Sequence, residues 1–187
     1  DTANRLNLQI FVLIWNSDLR NDAVGGQPSF DLLLRRNVNG NIAFDNGLAG
    51  ERVALLGPNG AGKSTLIGHL NGIIQAQEGD ITIAGTLISK ATVARVRERV
   101  GVVFQDPDNM LFMTRLADDI AFGPRNMGLP EAEVARRVTR ALAEVGLTDL
   151  AAKPGLHLSF GQKKRAALAA ILAMAPAVLI LDEPTSN

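Results

Sequence analysis

Residues 57–64 read Gly57-Pro58-Asn59-Gly60-Ala61-Gly62-Lys63-Ser64, and this run constrains the fold more than any other stretch of the 187-residue chain. It satisfies every fixed position of the pattern G-x-x-x-x-G-K-[ST]. The preceding Val53-Ala54-Leu55-Leu56 is short and apolar, which predicts a buried strand. The stretch from Lys63 to Ile74 has helical spacing. A glycine-rich loop joining strand to helix turns its N–H groups inward beside the positive helix end. Such a concavity holds polyphosphate oxygens. Gly57, Asn59, Gly60, Ala61 and Gly62 then form the cradle, and Lys63 reaches the β- and γ-phosphates. The Ser64 hydroxyl is placed to ligate Mg²⁺, and Thr65 adds a hydroxyl on the α-phosphate side. A solvated lysine on a glycine turn is the plain alternative, and the strand–loop–helix setting weighs against it.

Composition removes several other classes. Lys+Arg and Asp+Glu both number 19, so the chain is not a generally basic nucleic-acid binder. There is no cysteine, which excludes disulfide scaffolds, thiolate metal sites and thiol catalysis. The two histidines, His69 and His157, are 88 positions apart and form no metal-ligand pattern. They read as a helix-face residue and a loop residue. The longest uncharged apolar run, Ala166 to Leu181, is 16 residues and contains Pro176. A spanning helix needs roughly 20 residues, so this run predicts a buried helix, a turn and a buried strand. No basic start precedes a long apolar core, so no signal peptide is expected. The first residue is Asp, which points to a processed chain or a fragment.

Four zones follow from the patterning. Residues 1–40 hold two candidate strands, at 8–15 and 31–34, expected to belong to a small β-subdomain. Residues 41–105 carry the glycine loop and the apolar strands Ile81–Ile83 and Gly101–Phe104. Residues 106–158 turn helical, with Val134, Val138, Leu142 and Val145 on one face of a helix from Glu131. Residues 159–187 give a strong helix from Ser159 to Met174, then the strand Val178-Leu179-Ile180-Leu181.

Three further places carry chemistry. Asp182-Glu183 ends an apolar strand. Beside a phosphate loop, Asp182 would hold Mg²⁺, through water, and Glu183 would polarise the attacking water as general base. Gln105 follows the strand ending in Phe104, where its amide could touch Mg²⁺ or the water. Leu158-Ser159-Phe160-Gly161-Gln162 opens the last helix. Ser159 with Gln162 is a capping box, and the same helix end could bind an anion. Local sequence leaves both readings open.

Together these elements resemble the ATP-binding subunit of ABC transporters: Walker A (57–64), Q-loop (Gln105), signature (158–162) and Walker B (178–183). The match is closest to the energy-coupling-factor, cobalt- and nickel-uptake group. Val103-Phe104-Gln105-Asp106-Pro107-Asp108-Asn109, Ala121-Phe122-Gly123-Pro124 and Leu158 to Arg165 carry it. The resemblance spans about residues 41–187. It implies an α/β P-loop NTPase: a RecA-like core with an ABC β-subdomain and a helical subdomain insertion, lacking the last part of the core. It implies ATP and Mg²⁺ as cofactors and hydrolysis coupled to import of cobalt, nickel or a related micronutrient. It also implies a second ATPase subunit docked head to tail, so that Ser159, Gly161 and Gln162 meet a γ-phosphate across the dimer. The further partners are a transmembrane coupling subunit and a substrate-capture membrane protein, with no nucleic acid. The resulting place is peripheral, on the cytoplasmic membrane face.

Phe160 departs from that family's usual glycine, and Met110 stands where the group usually has glutamine. The chain has no Tyr to stack on adenine, and Phe30 is the nearest substitute by spacing. The family's D-loop and switch histidine lie past Asn187, so this chain is expected to bind ATP better than it hydrolyses it. The other readings are a non-transport ABC ATPase and a nucleotide-binding module without turnover. Only 54 positions separate Gln105 from Ser159, which leaves no room for a long coiled coil.

Overall fold

A computed structural model describes residues 10–15, 35–36, 42–44, 51–56, 60–83 and 85–183. The strands in chain order are β1 (Ile10–Trp15), β2 (Arg35–Arg36), β3 (Ile42–Phe44), β4 (Glu51–Leu56), β5 (Ile81–Ile83), β6 (Thr86–Leu87), β7 (Val100–Val103) and β8 (Val178–Asp182). The helices are α1 (Lys63–Leu70), α2 (Val93–Arg99), α3 (Leu116–Asn126), α4 (Glu131–Glu144) and α5 (Phe160–Met174). Among the described residues no helix is long and apolar enough to cross a membrane.

One sheet runs β4-β1-β8-β7, and every pairing in it is parallel. Parallel strands are covered on both faces and so read as continuous apolar runs. Val178, Leu179 and Ile180 of β8 are accordingly all buried. The second sheet runs β2-β3-β5-β6, with antiparallel outer pairs around a parallel β3–β5 pair. The sequence placed residues 8–15 among the strands of a small β-subdomain. β1 instead fills an interior position of the parallel sheet. An uninterrupted apolar run suits a strand with neighbours on both sides better than an edge. The other expected N-terminal strand, at 31–34, and Phe30 lie outside the described residues.

Two apolar cores form. The first joins the sheet to α1 and α2 through Leu55, Ile67, Leu70, Val96, Val102 and Ile180. The second lies among α3, α4 and α5, with Leu116, Ile120, Val134, Leu142, Leu147 and Ala166. Val134, Val138, Leu142 and Val145 are all buried there, as the spacing predicts. Each fully buried Leu, Ile or Val is worth about 1.5–3 kcal/mol, so this cluster holds the helical unit together. The α5 helix serves both layers because its inner side chains are small: Ala166, Ala167 and Ala169 have no exposed surface. Gly101 of β7 completes the fit. A Cβ there would sit 2.2 Å from Ile171 Cγ2, so only glycine lets α5 approach the sheet.

Helix ends follow local chemistry. The helix expected to reach Ile74 stops at Leu70. The Asn71 side chain accepts from Ile73 N, and Gly72 turns left-handed at φ 69°. The run from Ala166 breaks as predicted: α5 ends at Met174, Ala175 is left-handed at φ 54°, and β8 begins at Val178.

Candidate functional site

All four strands of the parallel sheet point the same way, so their C-terminal ends share one edge. Ligands of open α/β sheets bind at that edge. The register places Leu55 of β4, Ile14 of β1 and Asp182 of β8 in one row. With strands about 4.8 Å apart, β4 and β8 stand roughly 10 Å from each other across β1. The start of α1 reaches β8 through Ser64. Gly60 and Gly62 adopt φ of 79° and 89°, backbone that L side chains rarely take, and this brings the chain sharply into the helix. Ser64, in the first turn, then donates from Oγ to Asp182 Oδ2 at 3.4 Å. Gly57 and Asn59 lie outside the described residues; Gly60, Ala61, Gly62, Ser64 and Thr65 border the helix start.

Lys63 is only 8% exposed, although a lysine without a task keeps its ammonium in water. Its charge acts on Asp182, which is itself 9% exposed. Burial pushes the Asp182 carboxyl above its ordinary range, and the negative charge of Glu183 adds to the rise. The Ser64 hydroxyl and the Lys63 charge oppose it without cancelling it. A buried carboxylate flanked by a hydroxyl, with its negative charge under-compensated, is a place that a hard cation relieves. Ser64 and Asp182 therefore fit Mg²⁺, which takes few protein oxygens and completes its shell from phosphate and water.

Glu183 follows directly and has a left-handed backbone, φ 47°. That conformation costs a non-glycine residue about 1–2 kcal/mol, and it turns the chain out of the strand at the acidic pair. Gln105, two residues past the end of β7, donates from Nε2 to Glu183 Oε2 at 2.7 Å. An ionised carboxylate only accepts, so the amide must present its nitrogen. Gln105 was expected at the metal or the water; here one of its two N–H donors is used on the candidate base, and its carbonyl oxygen is the atom that could meet a cation. Val103, Phe104, Leu168, Leu181, Asp182 and Glu183 help line a cavity of about 160 Å³ between this turn and α5. A roomier cavity of about 530 Å³, lined by His69, Asp80, Lys90 and Arg97 among others, contains none of the motif residues.

The Ser159 end of α5 is a complete capping box: Gln162 N donates to Ser159 Oγ at 3.3 Å, and Ser159 N donates to Gln162 Oε1 at 2.9 Å. Ser159, Phe160 and Gly161 are exposed, and a Cβ on Gly161 would meet nothing within 4 Å. The helix start is thus satisfied internally and open to solvent at once. His69 sits on α1 with Nδ1 2.7 Å from Thr65 O, and His157 ends a 3₁₀ turn, in keeping with the helix-face and loop readings.

Two features had no signal in the sequence. Asp119 of α3 is 4% exposed, and its Oδ1 accepts from Phe112 N and Met113 N, both at 2.9 Å. Lys163 of α5 pairs with Asp108 at 2.6 Å across 55 positions. Charged residues on helix faces and in turns are usually solvated, so spacing alone gives no reason to single these out.

The parallel sheet, the glycine-capped helix and the acidic strand end define a phosphate-loop α/β fold. Residues 42–186 match the model of the ABC transporter family, and the chain belongs to that family. It is 55% identical over 138 residues to an ABC transporter ATP-binding protein of Streptomyces avermitilis, covering 74% of this chain and 53% of that protein. It is 53% identical over 140 residues to the energy-coupling factor transporter ATP-binding protein EcfA of Methanocaldococcus jannaschii, covering 74% of this chain and 50% of the relative. Among solved structures, cbiO1 of Clostridium perfringens, described as part of the ABC transporter complex cbiONQ, is 49% identical with a TM-score of 0.64. That match covers 71% of this chain and 53% of cbiO1. The chain spans about half the length of the relatives it matches.

Proposed function

We propose that this chain is the ATP-binding and ATP-hydrolysing part of an energy-coupling-factor type ABC importer. Cobalt, nickel or a related micronutrient is the cargo we assign to it, from the resemblance of its motifs to the cobalt- and nickel-uptake group. One observation carries the reading: the helix after the glycine loop and the acidic strand end meet, with Ser64 on Asp182, while Gln105 holds Glu183 beside them.

Residues 57–62 and the α1 N-terminus would enclose the phosphates, Lys63 would pair with the β- and γ-oxygens, and Ser64 and Asp182 would hold Mg²⁺. The metal, when bound, supplies charge neutralisation on the phosphates. Glu183 takes a proton as the water oxygen bonds to the γ-phosphorus; the bridging oxygen leaves with the electron pair of the broken bond. Gln105 orients the Glu183 carboxylate. Ser159, Gly161 and Gln162 would meet the γ-phosphate of a second ATPase subunit docked head to tail. Their exposed cap supports a role that needs a partner rather than one within this chain. A transmembrane coupling subunit and a substrate-capture protein complete the assembly, with this chain peripheral on the cytoplasmic face.

Lys63→Ala tests the site. Buried charge-assisted contacts to an anion are worth about 2–5 kcal/mol, so ATP affinity should fall by roughly 30-fold or more. Unchanged affinity in a titration with a fluorescent ATP analogue removes the phosphate site. Binding without phosphate release leaves a nucleotide-binding module in place of an ATPase.

A further inference from the structure

The turn after β7 behaves as one piece. Asp106 Oδ1 accepts from Asp108 N at 3.0 Å, and Asp106 Oδ2 accepts from Asn109 Nδ2 at 3.2 Å. Pro107 between them is buried. These bonds tie Asp108 to Asp106, which directly follows Gln105 in the chain. Asp108 is held from outside by Lys163, whose own backbone N donates to Ser159 O at 2.8 Å. A contiguous path results: the cap residue Ser159, the α5 backbone, the Lys163–Asp108 ion pair, the braced turn, and the 2.7 Å bond from Gln105 to Glu183.

We propose that Asp108 and Lys163 are positioning residues that set where Gln105 rests against Glu183, according to where the Ser159 end of α5 lies. The proposal rests on the nucleotide reading for its purpose and on contacts in this chain for its mechanics. The ion pair is suited to the task. The Lys163 side chain is 16% exposed, so its stem is largely covered, whereas the Asp108 side chain is 53% exposed. A half-exposed pair contributes little to global stability. It can therefore transmit position without being needed for the fold. Displacing the α5 start would draw the turn outward and pull the amide from Glu183, freeing the carboxylate oxygen that the amide occupies. Keeping the two ends in register would hold that oxygen engaged.

The test uses the full chain with Asp108→Asn, Lys163→Met, Lys163→Arg and the exchanged pair Asp108→Lys/Lys163→Asp. Amide hydrogen exchange is read over residues 104–110, and urea midpoints are taken on the same samples. Each charge-removing variant should raise exchange in that segment roughly two- to fivefold, the span an exposed pair allows, with an unshifted urea midpoint. Lys163→Arg and the exchanged pair should restore wild-type exchange, and high salt should make wild type resemble Asp108→Asn. Unchanged exchange in the single variants overturns the proposal, as does an exchanged pair no better than either single. Binding of a fluorescent ATP analogue is followed in parallel. If Lys63→Ala binds it like wild type, the nucleotide reading falls, while the exchange data still decide the tether.

Discussion

Replacing Glu183 by Gln separates catalysis from binding in one step. The substitution keeps the shape and keeps an oxygen that can accept from Gln105 Nε2, now 2.7 Å from Glu183 Oε2. It removes the charge. A charge-assisted hydrogen bond is about twice as strong as a neutral one, so about 1 kcal/mol of local stabilisation is lost. Removing the proton acceptor for the attacking water costs about 10²–10⁴ in rate, or about 3–5 kcal/mol of barrier. Nucleotide affinity should move the other way. The negative charge of Glu183 is one of the causes that raise the Asp182 pKa, so its loss eases ionisation of the carboxylate expected to face Mg²⁺. The expected result is turnover lowered by about 10²–10⁴, with ATP affinity equal to or better than wild type. Phosphate release and binding of a fluorescent ATP analogue, measured on the same sample, report both. Normal turnover in the variant would refute the assignment of Glu183 as base. A parallel loss of affinity would show that the carboxylate binds the nucleotide complex directly.

Two other outcomes test the surroundings. The folded state holds a proton on Asp182 more tightly than the unfolded chain does, because its pKa is raised. Its contribution to stability is therefore fully present below the ordinary carboxylate pKa and is lost as pH rises through the folded value. Asp182→Asn should abolish that decline in a series of urea midpoints run upward from pH about 4, and should weaken Mg²⁺-dependent ATP binding. An identical pH profile in the variant would contradict the burial argument. Asp119→Ala should destabilise the chain by about 2–4 kcal/mol, because the N–H groups of Phe112 and Met113 lose their acceptor in a part-buried site. Asp119→Asn, which keeps an oxygen, should cost less than about 1 kcal/mol. Equal losses would mean that the carboxylate charge, and not the hydrogen bonds, holds the 112–113 turn.

Much of the candidate site is legible in the sequence itself. The Gly57–Ser64 pattern, the Asp182-Glu183 strand end and the Ser159–Gln162 box are local, and their chemistry depends on spacing within one element. The helical face of Val134, Val138, Leu142 and Val145 was legible for the same reason: a helix repeats on a fixed period. What could not be read was who meets whom across long sequence separations. The apolar run Ile10–Trp15 suits an interior strand, yet nothing in it says that its neighbours are β4 and β8. The Gln105–Glu183 bond spans 78 positions and the Lys163–Asp108 pair spans 55. Each forms because β7, β8 and α5 are packed side by side, with Gly101 admitting the helix. Backbone conformation within a few residues is set by short-range sterics and capping, which the sequence writes out directly. Contacts between elements are set by packing, a collective property of all the side chains that fill the two cores. The candidate residue types were thus written locally, while the meeting of Ser64 with Asp182 and of Gln105 with Glu183 was decided by the tertiary fold.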